Sequence, residues 1–318
     1  MPLPLFAAIL IGIGAGSVVG ISVLVGLVKQ SGRKLSKPPP NPPLSRQKQT
    51  STLQLIETAR KELNMDVVHF YNFGICGAQN AGKSTFINSL RLLDDVNNDT
   101  EFRYNMFGPA PTGENQTTIE KQKYRFPPGR SSSDPRSDRS SIQENEDFYP
   151  FEHVMVWDIP GCGTRDHPVA TYFKREHLAA FDCLVLVAAT ATLGEYERHI
   201  LQEIDKSKTS VIIVINKRDG CIEPKCRKKF GRHYQPALHD YKLIITEIIN
   251  EAKTAVQDSL LDLNLTQTPE VFAISAYNYR DYMFRQTKTE LDELFTFEFG
   301  DFLKCLTNAA EERRKKNT

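Results

Sequence analysis

Phe73–Thr85 reads Phe-Gly-Ile-Cys-Gly-Ala-Gln-Asn-Ala-Gly-Lys-Ser-Thr, and within it Gly77-Ala78-Gln79-Asn80-Ala81-Gly82-Lys83-Ser84 forms a complete G-x-x-x-x-G-K-S pattern. This spacing serves a phosphate-binding loop when a strand precedes it and a helix follows. The apolar, β-branched run Val67–Phe73 supplies the expected strand, and Ser84–Leu93 the expected amphipathic helix. Glycines at the ends let backbone amides converge on phosphate oxygens, and the helix N-terminus adds partial positive charge. In such a loop Lys83 reaches the β- and γ-phosphates, Ser84 Oγ sits on Mg²⁺, and Thr85 opens the helix beside them.

Three more motifs follow in the order a nucleotide switch needs. Pro111-Thr112-Gly113 and Thr117-Thr118 offer a threonine to close on Mg²⁺ and a γ-phosphate. Thr118 is the first choice and Thr112 the second. The apolar run His153–Gly161 ends in Asp158-Ile159-Pro160-Gly161, a D-x-x-G. There the carboxylate holds Mg²⁺ through water and the Gly161 amide meets the γ-phosphate. The run Ser210–Ile215 delivers Asn216-Lys217-Arg218-Asp219, an N-K-x-D. An Asp219 carboxylate accepts from both N1–H and the exocyclic amine of guanine, whereas adenine has no matching donor pair. Asn216 tethers the phosphate loop and the Lys217 stem covers the base. Glu270–Ala276 reads as the last core strand, bringing Ser275 to the base and the Ala276 amide to guanine O6. The expected ligands are therefore GTP or GDP with Mg²⁺.

Apolar and amphipathic runs alternate through the rest of the chain. Helices are expected at Thr52–Met65, Pro168–Phe181, Leu193–Lys206, Leu238–Leu261 and Leu291–Leu306, and further strands at Ile119–Phe126 and Cys183–Ala189. Continuous apolar strands fit a parallel sheet covered on both faces. The fold class is α/β: a P-loop GTPase domain, a doubly wound, mainly parallel sheet with flanking helices. Pro127–Glu146 is polar and low in complexity, and reads as a disordered surface insertion. Cys221–Arg232 is rich in Lys and Arg and reads as a solvated basic loop, with contact to anionic lipid or to another nucleotide-bound subunit as the alternative. Its C-x4-C, with His233 and His239 behind it, fits no zinc-ligand spacing well.

The N-terminus adds a second theme. Leu5–Val28 has no charged residue and, at about 1.5 Å per residue, reaches roughly 36 Å, enough for a bilayer core. Lys29, Arg33, Lys34 and Lys37 all follow it, and no Lys or Arg precedes it. A single-pass anchor (residues 1–28) with the bulk of the chain in the cytosol is the expected topology. A cleaved signal would carry a basic n-region and a shorter apolar stretch. Ala8, Gly12, Gly16 and Gly20 fall every fourth residue, a spacing that lets two membrane helices approach closely. Residues 29–51 form a basic, proline-rich linker able to lie near anionic lipid, and residues 52–318 form the nucleotide domain. A net charge of +1 leaves no global field pointing to nucleic acid, and six scattered cysteines suit a reducing compartment.

The two switch stretches resemble the immunity-related, interferon-inducible GTPases. Trp157-Asp158-Ile159-Pro160-Gly161-Cys162-Gly163-Thr164, with Pro168 and Tyr172, is similar to that family's W-D-L-P-G-x-G-T…P…Y stretch. Ala110-Pro111-Thr112-Gly113, with Thr118 and Tyr124, is similar to its A-x-T-G…T…Y switch. The likeness spans roughly Leu63–Ala276. It implies GTP hydrolysis at Lys83, Thr118, Gln116 and Gly161, with nucleotide-dependent self-association. Gln116 stands where the family usually has Glu, a residue the resemblance implicates in activating hydrolysis across a dimer. Cys162, not glutamine, directly follows D-x-x-G. Slow hydrolysis helped by a neighbouring copy is one expectation, and a GTP-dependent membrane scaffold with little turnover is the other. The family's helical domain is larger than the ends of this chain can build, and the insertion and the N-terminal span are unusual for it.

Overall fold

Buried, uninterrupted apolar strands dictate the architecture. The computed structural model describes residues 44–97, 104–113, 118, 120–126, 153–233 and 235–317. The expected span Leu5–Val28, most of the linker, Gln116 and the insertion Pro127–Glu146 lie outside the described residues. Among those residues, no helix is long and apolar enough to cross a membrane. From Ser45 onward the chain clusters as one unit.

In chain order the elements are α1 (Leu44–Glu62), β1 (Tyr71–Cys76), α2 (Lys83–Leu90), the short β2 (Val96–Asn97) and β3 (Pro111–Thr112), β4 (Gln122–Arg125) and β5 (Val154–Asp158). Next come α3 (Val169–Arg175), β6 (Cys183–Ala188), α4 (Glu195–Ser207), β7 (Ser210–Ile215), α5 (Ile222–Phe230) and α6 (Leu238–Leu261). The chain closes with β8 (Glu270–Ala273), α7 (Ala276–Phe284), α8 (Glu290–Leu294) and α9 (Phe299–Asn317).

Six strands form one sheet in the order β4-β5-β1-β6-β7-β8, and only β4 runs antiparallel to its neighbour. Strand alternation sorts the side chains into two cores. Leu184, Leu186, Ile213 and Ile215 face one side, with Tyr172 of α3, Ile200 of α4 and Val256 of α6. Cys183, Val185, Ile212 and Val214 face the other, with Phe86 of α2 and Phe302 of α9. The Phe86 and Phe302 rings meet edge to face at 5.4 Å. Phe86 is wholly buried, so Phe86→Ala would cost about 3–5 kcal/mol.

The order reverses at β1, which pairs with β5 on one side and β6 on the other. Ligands of open α/β sheets bind outside the carboxyl ends of the strands at such a switch point. The loops after β1, β5, β7 and β8 carry the phosphate loop, D-x-x-G, N-K-x-D and Ser275-Ala276 there, and Thr118 joins them from the segment before β4.

Several boundaries differ from expectation. The first strand begins at Tyr71, not Val67: Asp66 Oδ1 accepts from the amides of Val68 and His69 and turns the chain, leaving Val68 83% exposed. Helix α1 reaches back to Leu44, just past the last proline of the linker, and buries Ala59. The expected helix Pro168–Phe181 breaks at His177, whose φ is +54°. The basic stretch after Cys221 is helical, not a loop. Its Lys225 and Lys229 pair with Glu251 and Glu247 of α6, and Cys226 packs on Ile244 and Ile248. The last expected strand stops at Ala273, and α7 follows, with Ser275 Oγ accepting from the Asn278 amide as its cap. The closing helix divides in two around Phe297, at φ +59°.

Candidate nucleotide site

A cleft of about 650 Å³ opens at these four loops. Gln79, Asn80 and Gly82–Thr85 form one wall, Asn216, Lys217 and Asp219 another, and Thr112, Gly113, Thr118 and Gly161 the third. Gly77, Ala78 and Ala81 lie beneath the loop: the carbonyls of Gly77 and Ala78 stand 3.5 and 3.0 Å from Lys83 Nζ, and Ala81 is buried. Gly77 has φ +141°, and a Cβ there would lie 2.2 Å from the Val187 carbonyl oxygen. Neither its conformation nor its space admits a side chain.

The charged groups at the base of the cleft, Lys83 and Asp158, are both buried. Lys83 is 7% exposed, and burial lowers its pKa, opposed by the nearby Asp158 carboxylate. Asp158 is fully buried, and burial raises its pKa, opposed by Lys83 and by hydroxyl donors from Ser84 and Thr118. Both hydroxyls donate to the same oxygen, Asp158 Oδ2, at 2.9 Å. Asp158 Oδ1 is buried without a hydrogen-bond partner among the described residues. One carboxylate with a spare oxygen and two hydroxyls suits a hard cation that keeps its waters and takes its other ligands from phosphate. Mg²⁺ fits this donor set through Ser84, Thr118 and Asp158. Among the described residues no cluster of three or more His, Cys, Asp and Glu forms a metal site, at Cys221 and Cys226 or elsewhere.

The base side is equally connected. Asn216 is buried, and its Oδ1 accepts from the amides of Lys217 and Ala276 at 2.8 and 3.1 Å. A Cβ at Gly82 would stand 2.9 Å from Asn216 Nδ2, so this side chain abuts the phosphate loop as expected of a tether. Lys217 Nζ donates to Asn80 O at 3.1 Å, a second link to that loop. Ser275 Oγ donates to Asp219 Oδ1 at 2.8 Å and orients the carboxylate. The Ala276 amide, expected to meet guanine O6, donates to Asn216 Oδ1.

The loop after Asp158 is held from α3. Tyr172 is wholly buried, and its hydroxyl donates to Pro160 O at 2.7 Å. Cys162, which follows D-x-x-G, is 2% exposed, and burial pushes its thiol up to about 12. Thr118, preferred over Thr112, is the threonine that reaches Asp158. Two features escaped the sequence reading. Tyr277 lines the cleft one residue past Ser275-Ala276, with the Arg280 guanidinium 5.0 Å from its ring. A buried ionic group around Glu176 has no sequence signal, because its partners Lys121 and His167 lie far apart in the chain.

Fold and cleft together define an α/β domain of the phosphate-loop nucleotide-binding class. Residues 144–317 match the family described as Interferon-inducible GTPase (IIGP), and the chain belongs to that family. It is 25% identical to mouse (Mus musculus) Interferon-gamma-inducible GTPase 10 over 248 residues, covering 77% of this chain and 49% of that one. It is 24% identical to mouse Interferon-inducible GTPase 1 over 262 residues, covering 82% of this chain and 52% of that one. The chain thus spans about half the length of these relatives. Among solved structures, one of an oligomerised bacterial dynamin pair aligns with 83% of this chain and 42% of its own, at 15% identity and a TM-score of 0.41.

Proposed function

We propose that this chain binds guanine nucleotide with Mg²⁺, hydrolyses GTP to GDP slowly, and does so anchored by Leu5–Val28 to a membrane, facing the cytosol. The observation that carries the reading is the convergence of Ser84 and Thr118 on one oxygen of Asp158, with its other oxygen spare and Lys83 alongside. Bound there, Mg²⁺ would neutralise charge on the β- and γ-phosphates. Lys83 binds those phosphates, and Thr118 and the Gly161 amide fix the γ-phosphoryl group. Water then displaces GDP in line, and positioning with charge stabilisation carries the rate. Asp219, oriented by Ser275, selects guanine.

A GTP-dependent scaffold with little turnover is the second reading, and Cys162 favours it. A buried thiol with its pKa near 12 cannot orient or deprotonate water as a polar side chain does. Membership of the GTPase family and the intact Lys83, Ser84 and Asp158 favour turnover. Self-association joins the two readings, because a neighbouring copy can supply the missing group. Arginine fingers supplied in trans are worth about 10³–10⁵ in rate elsewhere. The deciding experiment is GTP hydrolysis by the full chain over a range of protein concentrations, with ATP as control. Turnover per molecule should rise with concentration. Nucleotide binding without turnover at any concentration selects the scaffold, and equal affinity for ATP and GTP overturns both readings.

A further inference from the structure

Glu176 ends α3 as its C-terminal cap residue and is 2% exposed. Its Oε2 accepts from Lys121 Nζ at 2.8 Å, and its Oε1 meets His167 Nδ1 at 3.0 Å. Arg175 Nε stands farther off, 3.8 Å from Oε1. Lys121 lies three residues beyond Thr118 and immediately before β4, and its Nζ also reaches Arg175 O at 3.4 Å. His167 lies six residues beyond Gly161, its amide donates to Thr164 Oγ1 at 3.1 Å, and its carbonyl accepts from the Gly163 amide at 3.0 Å. One buried carboxylate therefore ties the segment that carries Thr118 to the loop that carries Gly161. Four residues earlier on the same helix, Tyr172 holds Pro160. A carboxylate this buried is stabilising only while its charged and hydrogen-bonding partners stay in place, so the three side chains form or separate together.

We infer that Glu176 is a positioning residue for the triphosphate. By gathering Lys121 and His167 it fixes Thr118 and the D-x-x-G loop in the arrangement that closes on Mg²⁺ and the γ-phosphate. It lines no part of the cleft and acts through Thr118 and Gly161. The inference rests on the nucleotide-binding reading above. The diphosphate lacks the group these two segments close on, so loss of Glu176 acts selectively on the triphosphate state.

The test uses the full chain and its Glu176→Gln, Lys121→Met and double variants, with affinities for GDP and a non-hydrolysable GTP analogue measured in Mg²⁺. Each single variant should lower the analogue-to-GDP affinity ratio by about tenfold. The double variant should lower it no further, because both singles break the same pair. A staple of merely structural use would lower the melting temperature and scale both affinities alike; an unchanged ratio overturns the inference. Should Glu176→Gln fail to fold, the less buried end of the pair still reports through Lys121→Met, with the same two outcomes. Failure of the unsubstituted chain to bind either guanine nucleotide would overturn the function proposed above, and this inference with it. Normal binding with an unmoved ratio overturns this inference alone.

Discussion

Ser84 Oγ donates to Asp158 Oδ2 at 2.9 Å across 74 positions of sequence, and it does so where Asp158 is wholly shielded from solvent. Burial raises the carboxyl above its ordinary 3.8. Mg²⁺ needs the carboxylate, so protons compete with it. Mg²⁺-dependent nucleotide affinity should be flat at neutral pH and fall as pH drops through the raised value, above 3.8. Less Mg²⁺ should move the fall to higher pH. Ser84→Ala removes a donor that lowers the Asp158 pKa and should move it higher still, besides weakening Mg²⁺ at least about tenfold. Titrating a fluorescent guanine nucleotide at several pH values and Mg²⁺ concentrations measures this, and a midpoint independent of Mg²⁺ refutes it.

Asp219→Asn should exchange the preferred base. The carboxylate accepts two guanine donors, and an amide oriented by Ser275 offers one acceptor and one donor. Losing a charged hydrogen bond costs about 1.5–3 kcal/mol, or about 10–150-fold in GTP affinity. Xanthosine triphosphate presents the complementary group and should bind the variant better than GTP. Competition binding of the two nucleotides checks this; GTP remaining the tighter ligand argues against the assignment.

The sequence reveals those parts of the fold whose cause is local. Strands β6 and β7 were legible almost to the residue, because Cys183–Ala188 and residues 211–215 are continuous apolar runs, buried on both faces throughout β6 and from Ile212 onward in β7. Val67 and Val68 carry the same composition, but Asp66 turns the chain beneath them, and one side chain outweighs their strand preference. Helix α5 was unreadable because its support is tertiary: Lys225 and Lys229 look solvated until α6 brings Glu251 and Glu247 beside them. The site divides the same way. Lys83, Asp158, Asn216 and Asp219 sit in short fixed spacings. Tyr277 meets the cleft, and Glu176 its partners Lys121 and His167, only in the folded chain.

Tyr172→Phe tests how firmly α3 holds the loop after β5. The variant keeps the ring in its buried site and removes the donor to Pro160 O, leaving a shielded carbonyl without that bond. The expected cost is about 1–3 kcal/mol, and each kcal/mol lowers Tm by about 2–4 °C in a domain of this size. GTP-analogue affinity should fall more than GDP affinity, because Gly161 adjoins Pro160. A scan of melting temperature with and without each nucleotide reads both effects. An unchanged Tm would mean that water replaces the hydroxyl without loss.

The final prediction joins hydrolysis to self-association at a membrane. Cys162 offers no polar side chain after D-x-x-G, and its buried thiol is neutral across the physiological range. On the reading proposed above, turnover draws on a group from outside the domain, with a second copy as the source. Two-dimensional confinement on a bilayer raises the encounter of copies, and pairing through short linkers brings the effective concentration to the mM range. The full chain in liposomes should hydrolyse GTP faster per molecule as surface density rises, with nucleotide affinity constant. Gly16→Ile places a β-branched side chain on the small-residue face of the proposed span, where close approach needs glycine. It should lower turnover at a given density without touching GTP affinity. Equal turnover by the two proteins at every density would separate the glycines from catalysis. Turnover independent of density would remove the need for a neighbour and leave the single domain to supply its own catalytic group.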